Sequence, residues 1–319
     1  MMLLAADIGG TYSRLAWRVA DDSGDWVEQR FENAAFAGLE AVIDRGLESL
    51  RAPSRSISRM VLALPGPVQH DPVRLTNIDW SVSRETLRER YGAERVEIVN
   101  DFQAAAVGAV TAPAGQLKVL NAASGDTEGP VVVTGAGTGL GMAWFAGPPD
   151  GRPPHATEGG HLDFAPNDRQ QAALYSHLAE RYGHVSYERI LSGDGLLGLY
   201  RWLAGSAAAA DDPAGVTARA AAGEDAAVEA VRLFVRVFGA YAGNLALAFN
   251  PAGGIYLCGG LNAHLAHWFE PAAFGAAFKA KGRMRKLVEE IPVALVTRGD
   301  IGLAGARQLL EKIYTRAET

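Results

Sequence analysis

Asn100 and Asp101 stand where an apolar, β-branched run over residues 96–99 gives way to an alanine-rich segment over residues 102–110. The run reads as a buried strand and the segment as a helix. Both polar residues therefore fall at the carboxyl end of a strand and the amino end of a helix, where ligands collect in open α/β sheets. A carboxylate held there can accept a proton from a substrate hydroxyl. The same residues can equally cap the helix, and this stretch alone leaves both uses open. Further along, Glu158 and His161 flank Gly159-Gly160, a pair of glycines that lets the backbone come close to a ligand. Taken singly, His161 reads as a turn histidine and Glu188 as a surface helix residue.

Two glycine-threonine turns offer anion chemistry. Residues 3–6 form an apolar strand running into Asp7-Ile8-Gly9-Gly10-Thr11, and residues 13–19 return antiparallel. The Gly-Gly-Thr turn exposes N–H groups that can nest an anion, although a plain hairpin turn has the same composition. The theme returns about 125 positions later, where residues 130–134 enter Gly135-Ala136-Gly137-Thr138-Gly139 and residues 140–145 turn back. This internal echo is more specific than either turn alone, since two such hairpins facing each other could grip a polyphosphate from both sides. A strand over residues 255–258 likewise ends in Gly259-Gly260. No Gly-Lys-Ser/Thr occurs, so this is not a Walker loop. The second turn's glycines alternate and no helix follows, so it is not a dinucleotide fingerprint either.

Other elements must position these groups. Leu39, Val42, Ile43, Leu47 and Leu50 recur at helical spacing, and residues 60–64 form a strand ended by Pro65-Gly66-Pro67. Residues 26–31 suit a further strand. Ser83 is placed to cap one helix, Ser186 another, and Gly183 to end a helix over residues 168–182. Residues 204–215 read as an exposed loop. Val228, Val231, Phe234, Phe238, Tyr241, Leu245 and Phe249 mark a long core helix. Residues 293–296 form a last strand and residues 301–315 a terminal helix.

The 319 residues suit two domains or one large one, with 48% hydrophobic and 21% charged residues. A net charge of −6 and a pI near 5.7 disfavour nucleic acid or an anionic membrane as partner. They leave room for phosphate held by backbone N–H groups. The single cysteine, Cys258, has no disulfide partner within the chain and reads as a small buried residue. With no signal region and no apolar run approaching 18 residues, the expectation is a cytoplasmic protein.

Taken together, the motifs resemble those of the bacterial glucokinase family, ATP-dependent sugar kinases of the actin-like ATPase fold. The matching stretches run nearly end to end: Asp7-Ile8-Gly9-Gly10-Thr11, Thr76-Asn77 with Trp80, Asn100-Asp101-Phe102, the Gly135–Gly141 turn, Glu158-Gly159-Gly160-His161, the stretch from Ser186 to Gly193, Gly259-Gly260, and Lys281-Gly282-Arg283 before Ile291-Pro292-Val293. The resemblance implies a two-lobed α/β, ribonuclease H-like architecture with a cleft between lobes, a smaller lobe of residues 1–110 plus 300–319 and a larger one of 111–299. It implies that Asp101 is the general base on the glucose 6-hydroxyl, with Asn100, Glu158, His161 and Glu188 hydrogen-bonding other ring hydroxyls. A hexose needs a charged or amide partner for each hydroxyl if it is to be discriminated. The turns at Gly9, Gly10 and Thr11 and at Gly137 and Thr138 would hold the phosphates of ATP. Gly259 and Gly260 would lie beside adenine or ribose, and Asp7 would orient waters on Mg²⁺. A homodimer is also implied.

The chain departs from the family pattern at three places. Tyr12-Ser13 replaces Asn-Ala, Asp194 replaces the proline after Leu-Ser-Gly, and Leu261-Asn262-Ala263 replaces Pro-Arg after Gly260. The rival readings are a kinase for another hexose or N-acetylhexosamine, a sugar-sensing regulator, and a non-catalytic sugar binder. One cysteine cannot build the cysteine-rich zinc loop of many repressor-group kinases.

Overall fold

Strand β1 (Met2–Ile8) is buried along most of its length because it lies inside a sheet, flanked by β2 (Tyr12–Val19) and by β4 (Ile57–Leu64). The computed structural model describes residues 1–19, 24–51, 56–149 and 154–316, with side chains as far as 312. The described residues of Met1–Thr111, Gly151–Ala156 and Asp300–Thr319 make one unit, and those of Ala112–Asp150 and Thr157–Gly299 a second.

In the first unit, β3 (Val27–Glu32), β2, β1, β4 and β7 (Arg95–Asn100) form a sheet in that order. The first two pairings are antiparallel, and β1, β4 and β7 are parallel. Asp7 and Asn100 thus stand at the same edge, the carboxyl ends of parallel strands. Helix α1 (Leu39–Ser49) buries Leu39, Val42, Ile43 and Leu47 on the sheet core. The small ribbon of β5 (Val73–Arg74) and β6 (Ser81–Val82) precedes α2 (Arg84–Tyr91), whose cap Ser83 accepts from the Thr86 amide. Helix α3 (Asp101–Val110) packs on the terminal helix, which covers Ile301–Arg316. The two approach backbone to backbone, since a Cβ at Gly305 would collide with the Ala104 carbonyl.

The second sheet is made of β8 (Leu117–Asn121), β9 (Val131–Ala136), β10 (Leu140–Phe145), β11 (His155–Thr157), β12 (Gly254–Cys258) and β13 (Val293–Val296), in the order β11-β10-β9-β12-β13-β8. Strands β9 and β10 make the second antiparallel hairpin. Helices α4 (Arg169–Tyr182), α5 (Gly193–Ala204) and α6 (Pro213–Ala221) lead to α7 (Asp225–Phe249). Helix α7 buries Val231, Phe234, Phe238, Tyr241 and Leu245 in the core, at about 1.5–3 kcal/mol for each large apolar side chain. Helices α8 (Gly260–His264), α9 (Pro271–Phe278) and α10 (Arg285–Glu289) follow, and Ile301–Arg316 is α11.

Three expectations are corrected. The stretch over residues 204–215 is not a plain exposed loop: Ala210 is buried, and Asp212 accepts from the Gly215 amide at 2.7 Å to cap α6 with Pro213 at its start. Ser186 precedes a 3₁₀ turn, Tyr187–Arg189, but its side chain caps nothing; it is buried, and its backbone bridges Asp163. Helix α7 is long and apolar enough to cross a membrane, which the residue-by-residue reading does not flag, yet most of it is buried in the protein core. Cys258 is fully buried, and burial pushes its thiol pKa up.

Candidate functional site

At the first hairpin the Gly9 amide donates to the Tyr12 carbonyl at 2.9 Å. Asn33 holds the rest of the turn. Its Nδ2 donates to the carbonyls of Gly9 at 2.7 Å and Gly10 at 3.2 Å, and its amide donates to the Thr11 carbonyl at 2.9 Å. Ser13 Oγ donates to Asn33 Oδ1 at 2.7 Å, which fixes the orientation of the buried amide. The turn's carbonyls are thus occupied, while among the described residues the amides of Gly10 and Thr11 donate to no protein group. Amides freed in this way can nest an anion. Asp7, just before the turn, is 16% exposed and 3.4 Å from Arg14 Nη1. Burial raises its pKa, the Arg14 guanidinium opposes that, and the Asp300 carboxylate adds to it.

At the β7–α3 junction, Asn100 is the helix cap. Its Oδ1 accepts from the Phe102 amide at 3.0 Å, and Gln103 Oε1 accepts from the Asn100 amide at 3.2 Å. Asn100 Nδ2 donates to the Gly66 carbonyl at 3.3 Å, tying the junction to the loop after β4. Capping therefore falls to Asn100. Asp101 is the first residue of α3, where the positive end of the helix dipole favours a carboxylate, and its Oδ1 accepts from the Phe102 amide at 2.8 Å. Gln103 Nε2 also donates to the Pro154 carbonyl at 2.7 Å.

The second unit gathers the other polar groups. Two short 3₁₀ turns, Gly159–His161 and Tyr187–Arg189, are joined by the Tyr187 amide donating to the Leu162 carbonyl at 3.0 Å. They place His161 Nε2 3.9 Å from Glu158 Oε2 and 3.8 Å from Glu188 Oε1, too far for hydrogen bonds. Glu158 is 92% exposed and Glu188 32%. Two carboxylates and an imidazole thus stand together with unspent hydrogen-bonding capacity. Glu188 has a second task, because its Oε2 accepts from the Leu140 amide at 2.9 Å and so braces the second hairpin. Gly139 leaves room for it, since a Cβ there would lie 2.6 Å from that oxygen and displace it. In the same turn the Gly137 amide donates to the Gly139 carbonyl, and the Gly137 carbonyl accepts from the Gly193 amide, both at 2.9 Å. Gly259 ends β12 at φ 97°, and Gly260 opens α8.

A family profile described as glucokinase matches residues 4–313. A glucokinase of Tolumonas auensis is 36% identical over 97% of both chains. The chain belongs to the glucokinase family. The crystal structure of a glucokinase from an Antarctic psychrotroph superposes with a TM-score of 0.84 at 31% identity, covering 97% of this chain and 98% of that one. A glucokinase of Balamuthia mandrillaris, crystallised in complex with glucose, shares the fold with a TM-score of 0.80 at 23% identity over 97% and 93% of the two chains. The family's two-lobed actin-like α/β fold is the fold of this chain.

Within each unit the structure brings together residues that the sequence marks separately. Asp7, Gly9, Gly10 and Thr11 share one strand end and turn, and Asn100 and Asp101 one junction. Glu158, His161 and Glu188 converge, and Glu188 reaches the hairpin of Gly137 and Thr138. Asn33 and Gln103 escape the sequence reading. Gln103 is signalled by its spacing, three residues after a capping asparagine. Asn33 carries no local signal, because its partners lie some twenty residues earlier in the chain.

Proposed function

We propose that this chain transfers the γ-phosphoryl group of ATP to the 6-hydroxyl of glucose, with Asp101 as the base that accepts the hydroxyl proton. As a member of the glucokinase family it is an ATP-dependent hexose kinase. Asn100, Glu158, His161 and Glu188 hydrogen-bond the remaining sugar hydroxyls, Asn100 through the Nδ2 hydrogen that the Gly66 carbonyl leaves over. The amides of Gly10 and Thr11 and the turn of Gly137 and Thr138 hold the phosphates, and Gly259-Gly260 lies beside the base or ribose. In phosphoryl transfer the protein supplies mostly positioning and charge neutralisation. The observation that carries the reading is the cluster of Glu158, His161 and Glu188, whose acceptors and donors are unspent on one another.

The residues also fit Mg²⁺. Among the described residues no three His, Cys, Asp or Glu side chains form a metal cage. Mg²⁺ needs none, because it keeps several waters and takes one or two carboxylates plus substrate phosphates. Asp7, a carboxylate beside the phosphate turn, fits that role through water, and the bound ion would neutralise phosphate charge.

The test is a coupled assay of ADP release with Mg²⁺-ATP across glucose, mannose, fructose, N-acetylglucosamine and N-acetylmannosamine. Turnover strongly favouring glucose is expected. Preference for another sugar would reassign the substrate, and binding without turnover would restore the sensor reading. A cytoplasmic homodimer is proposed from the family resemblance, and light scattering that gives a monomer mass would overturn the dimer.

A further inference from the structure

Lys281 directs its ammonium group into the side of α7. Nζ donates to the Ala240 carbonyl at 2.9 Å and to Asn244 Oδ1 at 2.7 Å. Asn244 Nδ2 in turn donates to the Tyr187 hydroxyl oxygen at 2.7 Å, and the Tyr187 amide donates to the Leu162 carbonyl at 3.0 Å. Tyr187 is 2% exposed, with its ring centroid 4.6 Å from that of Tyr241 and 5.7 Å from that of Phe164. It is the residue before Glu188, and Leu162 is the residue after His161. The chain Lys281–Asn244–Tyr187 therefore ends between the two turns of the acid–imidazole cluster.

We propose that Lys281 is a positioning residue for the sugar site: through Asn244 and the Tyr187 hydroxyl it fixes the two turns that present His161 and Glu188. The inference rests on the reading of those residues as sugar ligands. Lysine only donates, so Asn244 must turn its oxygen toward Lys281 and its NH₂ toward Tyr187. A neutral apolar residue at position 281 would leave the amide free to flip, and Tyr187 would lose a fixed donor. Among the described residues Lys281 has no ion pair, and burial lowers its pKa, so its charge is desolvated without a compensating anion. A purely packing role would be filled at lower cost by an apolar side chain. Helix α7 makes room for the lysine with Gly243, where a Cβ would collide with Lys281 Cε.

The test uses the full-length enzyme and the steady-state KM of each substrate. Lys281→Met and Tyr187→Phe should each raise the glucose KM about three- to tenfold, as expected for one lost hydrogen bond. The KM for ATP and kcat should stay within about twofold. The double variant should be no worse than the poorer single one, because both cut one chain of contacts. Phe278→Leu, which loosens the neighbouring α9 core, should lower Tm and leave the glucose KM unchanged. Should Lys281→Met fail to fold, Tyr187→Phe decides. An unchanged glucose KM in the folded variants, with Glu188→Gln raising it, overturns the positioning role and leaves the sugar site standing. An unchanged glucose KM in Glu188→Gln overturns the sugar site itself.

Discussion

The two glycine hairpins look alike in sequence and are held in different ways. In the first, a buried neutral side chain, Asn33, takes up the turn's carbonyls from behind. In the second, the brace is Glu188, a charged group that also stands 3.8 Å from His161. The first turn is therefore set by the fold alone. The second depends on a carboxylate that the proposed function also assigns to the sugar. The first hairpin is held independently of any ligand, and the second shares its support with a carboxylate that the proposed function assigns to the sugar. Changes at the first hairpin should move kcat or ATP affinity alone, whereas changes at the second hairpin should move both substrates together.

Asp101→Asn should have the largest effect. Loss of a general base lowers kcat by about 10²- to 10⁴-fold, while the glucose KM stays within about twofold. Stopped assays of ADP release at saturating sugar would show it, and an unchanged kcat would remove Asp101 from the chemistry. Gly139→Ala should raise both KM values by about tenfold, because its Cβ would displace the Glu188 carboxylate. A rise in only one would separate the two tasks of Glu188. Asn33→Ala should lower folding stability by about 1–3 kcal/mol, since it strands turn carbonyls and the Ser13 hydroxyl. It should raise the ATP KM with the glucose KM unchanged. A glucose effect would break the contrast between the hairpins.

The smallest effect concerns Asp7. Burial holds its folded pKa above the ordinary 3.8, so the folded chain binds this proton more tightly than the unfolded one. The resulting contribution to stability is full below the ordinary pKa and is lost as pH rises through the raised value. Asp7→Asn removes that loss. Its urea midpoint should fall less than the wild-type midpoint between acid and neutral pH, and identical profiles would show that Asp7 carries no buried charge cost.

The hairpins, the β7–α3 junction and α7 were legible because alternation, glycine punctuation and helical spacing are local signals. Helix α6 was missed although Asp212-Pro213 is a cap followed by a first-turn proline, because the alanines before it look like loop. The roles of Asn33 and Lys281 were not legible. Each acts through partners distant in sequence, and nothing in its own neighbourhood of residues announces the contact. Ser186 shows the converse: a residue type suited to capping was used for a backbone bridge.

The most direct measurement compares both KM values for Glu188→Gln and Glu188→Ala. Glutamine keeps an oxygen for the Leu140 amide and loses the charge, whereas alanine loses both. Gln should raise the glucose KM by about ten- to a hundredfold, as for a hydrogen bond to a charged group, with the ATP KM unchanged. Alanine should raise both. If both variants leave the ATP KM unchanged, or if either leaves the glucose KM unchanged, Glu188 does not join the sugar to the second hairpin.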